Sequence, residues 1–245
     1  MPRRLRTATF DPELVAQLRA VSGPEPIAAL NRIKERECGE PLLDIRKHCP
    51  GVRVARTCLP YLRQSVAEKL NAAQAALPVG YRLHVTTALR RKETQQALFD
   101  KYFAELTEKH PEWSRATLRR QTCRFFAPYD QPAPPGHCTG AAVDVHLLLP
   151  SGRQAELRKP LTGWKAARSL ATGLSEKAVR HREILFAAML AAGFSNCAEE
   201  FWHYSYGDAG WAVRVGERDC IYGWAVLAGS AHTNVGVSEP SAWNK

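Results

Sequence analysis

Gly136-His137-Cys138-Thr139-Gly140-Ala141-Ala142-Val143-Asp144-Val145-His146-Leu147-Leu148-Leu149 decides how this chain folds. From Ala141 onward the residues alternate. Val143, Val145, Leu147 and Leu149 share one face of a predicted strand, and Asp144, His146 and Leu148 share the other. Such a strand buries its apolar face and turns a carboxylate and an imidazole to the opposite side. Upstream, Gln131 to Gly136 holds three prolines and reads as a loop that delivers His137. Downstream, Pro150-Ser151-Gly152 is a turn.

Working outward, apolar residues recur at 59, 62, 66, 70, 73 and 77, which is helical spacing, and Pro78 with Gly80 ends the run. Tyr81, Leu83 and Val85 alternate as a strand, with Arg90 at its exit. A helix is predicted from Lys92 to about Lys109, and Pro111 starts a shorter helical stretch through Arg119 and Arg120. Ser175 caps a helix that ends at Gly193, and Phe194 to Tyr206 reads as strand. Helices that flank a few short strands imply an α+β domain with a small, mainly antiparallel sheet. Residues 1–39 read as an N-terminal helical extension, opened by Asp11-Pro12 as cap and first helical residue. Residues 40–227 form the main domain, and 228–245 read as a disordered polar tail.

A second segment, Glu200-Phe201-Trp202-His203, gives the first its chemical meaning. His137, Asp144 and His203 supply two imidazoles and a carboxylate, which suit zinc and leave one position open for water. Glu200 is a spare carboxylate three residues before the last imidazole, placed to act as general base. Each of these residues alone is more often an ordinary polar residue; the pair of motifs in this order is what carries the reading. His146 lies two residues beyond Asp144 on the same face and is assigned a neighbouring, non-ligand role. Cys138 is read as a small filler. Phe201 and Trp202 either wall the pocket or fill core, and Trp202 is the candidate substrate contact. Glu and His at i and i+3 fall on opposite faces of a regular strand, so the chain must bend between Glu200 and His203.

H-x6-D followed some sixty residues later by E-x-x-H resembles the D-alanyl-D-alanine dipeptidase family, a relative of the D,D- and L,D-carboxypeptidases of bacterial cell walls. The resemblance covers roughly residues 41 to 227. Thr87-Ala88-Leu89-Arg90 with Gln95 is similar to the family's segment for its catalytic arginine. Tyr204-Ser205-Tyr206-Gly207-Asp208, Trp211-Ala212 and Ile221-Tyr222-Gly223 are similar to its C-terminal segment. The resemblance implies a zinc peptidase with one ion per chain in a cleft beside the sheet. It selects Glu200 over Glu199 as base. It also makes Arg90, with Arg91 as its rival, the group that holds the tetrahedral oxygen. Two positions depart from the family pattern. The serine two residues before the first histidine is Pro135 here. The stretch that carries an acidic residue for the substrate's amino group is Leu157-Arg158-Lys159-Pro160-Leu161-Thr162-Gly163-Trp164-Lys165, without a carboxylate. Three readings follow: a dipeptidase acting on free D-Ala-D-Ala, a D,D- or L,D-carboxypeptidase on longer peptidoglycan peptides, or a zinc-binding module without catalysis.

The bulk properties narrow the partners. The net charge is +10, but Lys and Arg are spread along the chain and no nucleic-acid motif accompanies them. A small peptide substrate, rather than nucleic acid or membrane, is therefore expected, and an anionic ligand group suits the basic surface. No apolar run approaches the ~20 residues of a membrane helix. Basic residues near the N-terminus are not followed by an apolar stretch, so no secretory signal is visible. Seven cysteines without regular spacing read as reduced thiols of a cytoplasmic protein.

Overall fold

A computed structural model describes residues 8–227; the tail expected at 228–245 lies outside the described residues. Asp11 caps α1 (Pro12–Ala20) by accepting the Glu13 N–H at 2.8 Å, with Pro12 at the first turn as its sequence requires. Next come β1 (Ser22–Gly23), α2 (Ile27–Leu30), β2 (Lys34–Glu35), β3 (Leu42–Asp44), α3 (Ile45–His48) and β4 (Arg53–Val54). The helix anticipated from Leu59 starts later. Tyr61–Arg63 forms β5, antiparallel to β3, and α4 spans Gln64–Ala76. Leu59 instead makes a bridge to Leu89, so its agreement with the helical spacing is a coincidence of side-chain type.

β6 (Arg82–Thr87), α5 (Lys92–Lys109), β7 (Ala142–Leu148) and α7 (Glu176–Ala191) lie close to their expected bounds, whereas α6 (Arg115–Thr122) starts later than the expected Pro111. Ser114 and Ser175 cap α6 and α7 through their hydroxyls. The strand anticipated over Phe194–Tyr206 is a hairpin of β8 (Ser195–Cys197) and β9 (His203–Ser205). Its turn is closed by Glu200 N–H to Cys197 O and His203 N–H to Glu200 O, both at 3.0 Å, which is the bend that the Glu200/His203 spacing demanded. α8 (Ala209–Val215) and β10 (Asp219–Cys220) complete the described chain.

The main sheet has the order β1-β8-β9-β7-β6-β4. It is mixed, which corrects the expectation of a mainly antiparallel sheet. The three central pairings are antiparallel, but β1 joins β8, and β4 joins β6, in parallel. Both parallel strands are two residues long, too short to show any alternation. The segment before residue 40 is built into this sheet through β1, and Leu18 of α1 is a core residue, 1% exposed.

One face of the sheet is the core. Leu83, Val85, Val143, Val145 and Leu147 pack with Val66 and Leu70 of α4 and Leu185, Phe186 and Met189 of α7, all buried. Each such side chain stabilises the fold by about 1.5–3 kcal/mol. The alternation that buries Val143 and Val145 turns Asp144 to the opposite face. Among the described residues no helix is long and apolar enough to cross a membrane. All seven cysteines are free.

Candidate active site

His137 sits in a single 3-10 turn, Gly136–Thr139, between the proline loop and β7. Gly140 ends the turn at φ +73°, a left-handed conformation that favours glycine, and a Cβ there would displace Leu42 Cδ2, 2.7 Å away. The Arg90 N–H donates to the His137 carbonyl at 2.9 Å, tying the exit of β6 to the turn. His137 Nδ1 lies 3.0 Å from the Ala88 carbonyl. In the neutral ring that contact holds the proton on Nδ1, so Nε2 is the nitrogen that faces Asp144 and would ligate.

Asp144 and His203 are direct cross-strand partners in the β7/β9 register. Asp144 Oδ1 is 3.2 Å from His137 Nε2 and 3.0 Å from His203 Nδ1. One ligand atom from each of the three residues falls within 4.8 Å of the others. A tetrahedral zinc with bonds of about 2.0–2.1 Å separates its ligand atoms by roughly 3.3–3.4 Å, so this donor set and spacing fit such an ion with little movement.

Burial would raise the Asp144 carboxyl, but the two imidazoles beside it, His137 and His203, hold it well below the carboxylate range. Burial lowers His137, with Asp144 pulling the other way. For His203 burial opposes the charged form, yet the Asp144 hydrogen bond and the carboxylates of Glu25, Asp144 and Glu200 raise it to about 9. Carboxylates gathered around two imidazoles give this cluster the donor types and charge that a cation would complement.

Glu200 lies in the β8–β9 turn, partly buried, while Glu199 beside it is exposed. Burial pushes the Glu200 carboxyl up to about 7, assisted by the charges of Asp144 and Glu25 and opposed by His203 and Arg90. A carboxyl that exchanges its proton near neutrality has the property a general base needs. Arg90 Nη1 donates to Gln95 Oε1 at 2.9 Å, and Gln95, 1% exposed, is itself anchored to the Ala127 carbonyl. Arg90 is thus held from behind, and its charge acts on both His137 and Glu200. Arg91 instead occupies the N-cap position of α5.

Trp202 is buried in the core cluster, against Phe201 and under the Arg158 guanidinium, 5.0 Å from its ring centroid. His146 faces the same side as Asp144 but stands outside the ligand cluster, bonded to Gln154 at 3.0 Å. The Cys138 thiol is pushed up to about 12 by burial, so it is a filler rather than a nucleophile. Two residues at the site escaped the sequence reading. Glu25 reaches within 3.7 Å of His203 Nε2 and accepts a hydrogen bond from Arg214 Nη1. The β1–β8 pairing brings Glu25 here across the sequence, and no local pattern signals it.

Several known proteins are similar to this chain. A curated D-alanyl-D-alanine dipeptidase of Synechocystis sp. (strain PCC 6803) is 29% identical over 230 residues, covering 79% of this chain and 92% of its own. Among solved structures, VanYB in complex with D-alanine-D-alanine matches with a TM-score of 0.37 and 19% identity, over 64% of this chain and 79% of that one. A variant of the vancomycin-resistance D,D-pentapeptidase VanY, solved with Zn(II), matches with a TM-score of 0.36 and 19% identity, over 64% of this chain and 80% of that one. The model of the D-ala-D-ala dipeptidase family matches residues 50–221, from the loop before β4 to the end of β10 and across every candidate site residue from Arg90 to His203. This chain belongs to that family and is a metallopeptidase.

Proposed function

We propose that this protein is a zinc-dependent dipeptidase that hydrolyses D-alanyl-D-alanine, with His137, Asp144 and His203 holding one ion. The single observation that carries the reading is the convergence of these three side chains within 4.8 Å, on the polar face of the sheet, beside a carboxyl raised to about 7. Zinc would supply Lewis acidity there, making water nucleophilic near neutral pH. Glu200 takes the proton of the attacking water and delivers it to the departing amine as the peptide bond breaks. Arg90, fixed by Gln95, stabilises the oxygen that becomes negative on attack. The proton leaves as Glu200 collects it and returns with the amine, so the carboxylate is regenerated in each turnover.

The relative from Synechocystis is named for the free dipeptide, and its 92% coverage supports the same substrate here. A second reading, a carboxypeptidase acting on longer peptidoglycan peptides, is favoured by one feature. Arg158 and Lys159 stand in the stretch where the family carries its acidic residue for the free amine. The two are separated by offering D-Ala-D-Ala and a muropeptide stem to the zinc-loaded protein. Hydrolysis of the dipeptide supports the first, and cleavage of the stem alone replaces it with the second. Full activity of a Glu200→Ala variant with its zinc retained would remove Glu200 from the mechanism.

A further inference from the structure

We infer that Glu25, from the segment preceding the family-matched region, is a positioning residue of the metal centre: its carboxylate faces the outer nitrogen of His203 and fixes the ring with Nδ1 toward the ion. The inference rests on the zinc reading above, and it extends the site to a residue outside the stretch 50–221 that matches the family.

The backbone places Glu25 with little freedom. Ser22 and Gly23 pair with Asn196 and Cys197, and the Ala198 N–H donates to the Gly23 carbonyl at 3.0 Å. Pro24 and Pro26 flank Glu25 and fix φ on both sides. The chain thus leaves β1 beside the turn that carries Glu200, with the Glu25 side chain aimed at the start of α8. Space for it comes from Gly210, where a Cβ would lie 2.5 Å from Glu25 Oε1.

Its partners define its job. Arg214 is 9% exposed and donates from Nε to Ser195 Oγ, from Nη2 to Ser205 Oγ and from Nη1 to Glu25 Oε1. Both serines belong to the β8–β9 hairpin that presents His203, so Arg214 locks the carboxylate to the same element as the imidazole. His203 Nδ1 is 3.0 Å from Asp144 Oδ1, whereas Nε2 is buried, lacks a hydrogen bond and has Glu25 Oε1 at 3.7 Å. A ring that ligates through Nδ1 must carry its proton on Nε2, and a buried N–H needs an acceptor. A carboxylate on the far nitrogen of a metal-bound histidine fixes the tautomer and raises ligand basicity, and its removal typically weakens metal binding 10- to 100-fold. Glu25 is the carboxylate within reach, and Arg214 keeps it ionised despite burial.

The test measures zinc affinity by competition with a chromophoric chelator for the unsubstituted protein, Glu25→Gln and Glu25→Ala. It is accompanied by the long-range 1H–15N spectrum of the histidine rings in the zinc-loaded unsubstituted protein. The expected result is a loss of roughly 10- to 100-fold in zinc affinity for Glu25→Ala. A smaller loss is expected for Glu25→Gln, whose amide oxygen still accepts from both Arg214 and His203. The His203 proton is expected on Nε2. Equal zinc affinity in all three proteins, or a His203 proton on Nδ1, overturns this inference while leaving the zinc reading intact. Absence of stoichiometric zinc in the unsubstituted protein overturns both. Should Glu25→Ala fail to fold, the spectrum of the unsubstituted protein decides alone.

Discussion

Arg182 offers a quantitative test of how the site is supported. It is fully buried on α7 with no carboxylate among its hydrogen-bond partners. Its guanidinium donates instead to four backbone carbonyls, Leu157, Ala166, Arg168 and Ser169, at 2.5–2.9 Å, and stacks 4.0 Å from the Phe201 ring centroid. These carbonyls belong to the irregular segment on which the β8–β9 turn rests, since the Phe201 N–H donates to the Ala167 carbonyl at 2.9 Å. In Arg182→Met, the Arg168 carbonyl keeps a bond from the Ala171 N–H, and the other three lose a charged donor. Each buried acceptor left open costs about 1–3 kcal/mol, and the cation–π contact adds ~1–2 kcal/mol. Against this, the methionine carries no charge to desolvate, a relief of several kcal/mol. The net expectation is a destabilisation of about 3–5 kcal/mol, a large share of the ~5–15 kcal/mol that stabilises a typical domain. At ~2–4 °C per kcal/mol for a chain of this size, the melting temperature falls by roughly 10 °C. Urea and thermal unfolding of the metal-free proteins measure this directly. Arg182→Lys should recover little, because a single ammonium cannot reach the spread of carbonyls that the planar fork spans. A methionine variant within ~1 kcal/mol of the unsubstituted protein would refute the claim that this arginine organises the segment.

On the proposed mechanism Glu200→Gln removes the proton acceptor but not a ligand, so turnover should drop by roughly 10²–10⁴-fold with zinc content unchanged by elemental analysis; a drop that tracks zinc loss would reassign the residue. Arg90→Lys keeps the charge but loses the fork that Gln95 holds, and should lower kcat by roughly 10²–10³-fold with a smaller change in KM. A rise in KM alone would make Arg90 a ground-state binder. The metal-free protein should become less stable as pH rises. The folded-state pKa of His203 is raised to about 9, so its contribution is full below the ordinary imidazole value near 6.5 and is lost as pH climbs through 9. Zinc binds the neutral ring and should abolish this decline, seen as urea midpoints that no longer fall from about pH 6.5 to 9.

Legibility in the sequence followed the range of the interactions involved. β7 could be read from its own alternation, and that alternation also stated which side chains leave the core, so Asp144 and the buried valines were separable without any tertiary information. The Glu200/His203 spacing implied a bend, and the hairpin turn supplies it. What could not be read is whatever depends on pairing across long separations. β1 and β4 are two residues each, stabilised by their neighbours rather than by their own composition, and they make the sheet mixed. Tyr61–Arg63 had helical spacing yet is drawn into a strand by pairing with Leu42–Asp44. Glu25 and Arg214 meet across 189 positions of sequence, and no local signal foretold that a Pro-Glu-Pro segment would reach His203.

The most direct measurement is the release of D-alanine from D-Ala-D-Ala by the purified protein, alone, with a chelator, and after zinc is restored. The account predicts release that the chelator abolishes and zinc restores, with a Glu200→Gln protein inactive throughout. No release from protein carrying one zinc per chain would contradict the dipeptidase assignment, and release untouched by complete removal of metal would contradict the metal centre itself.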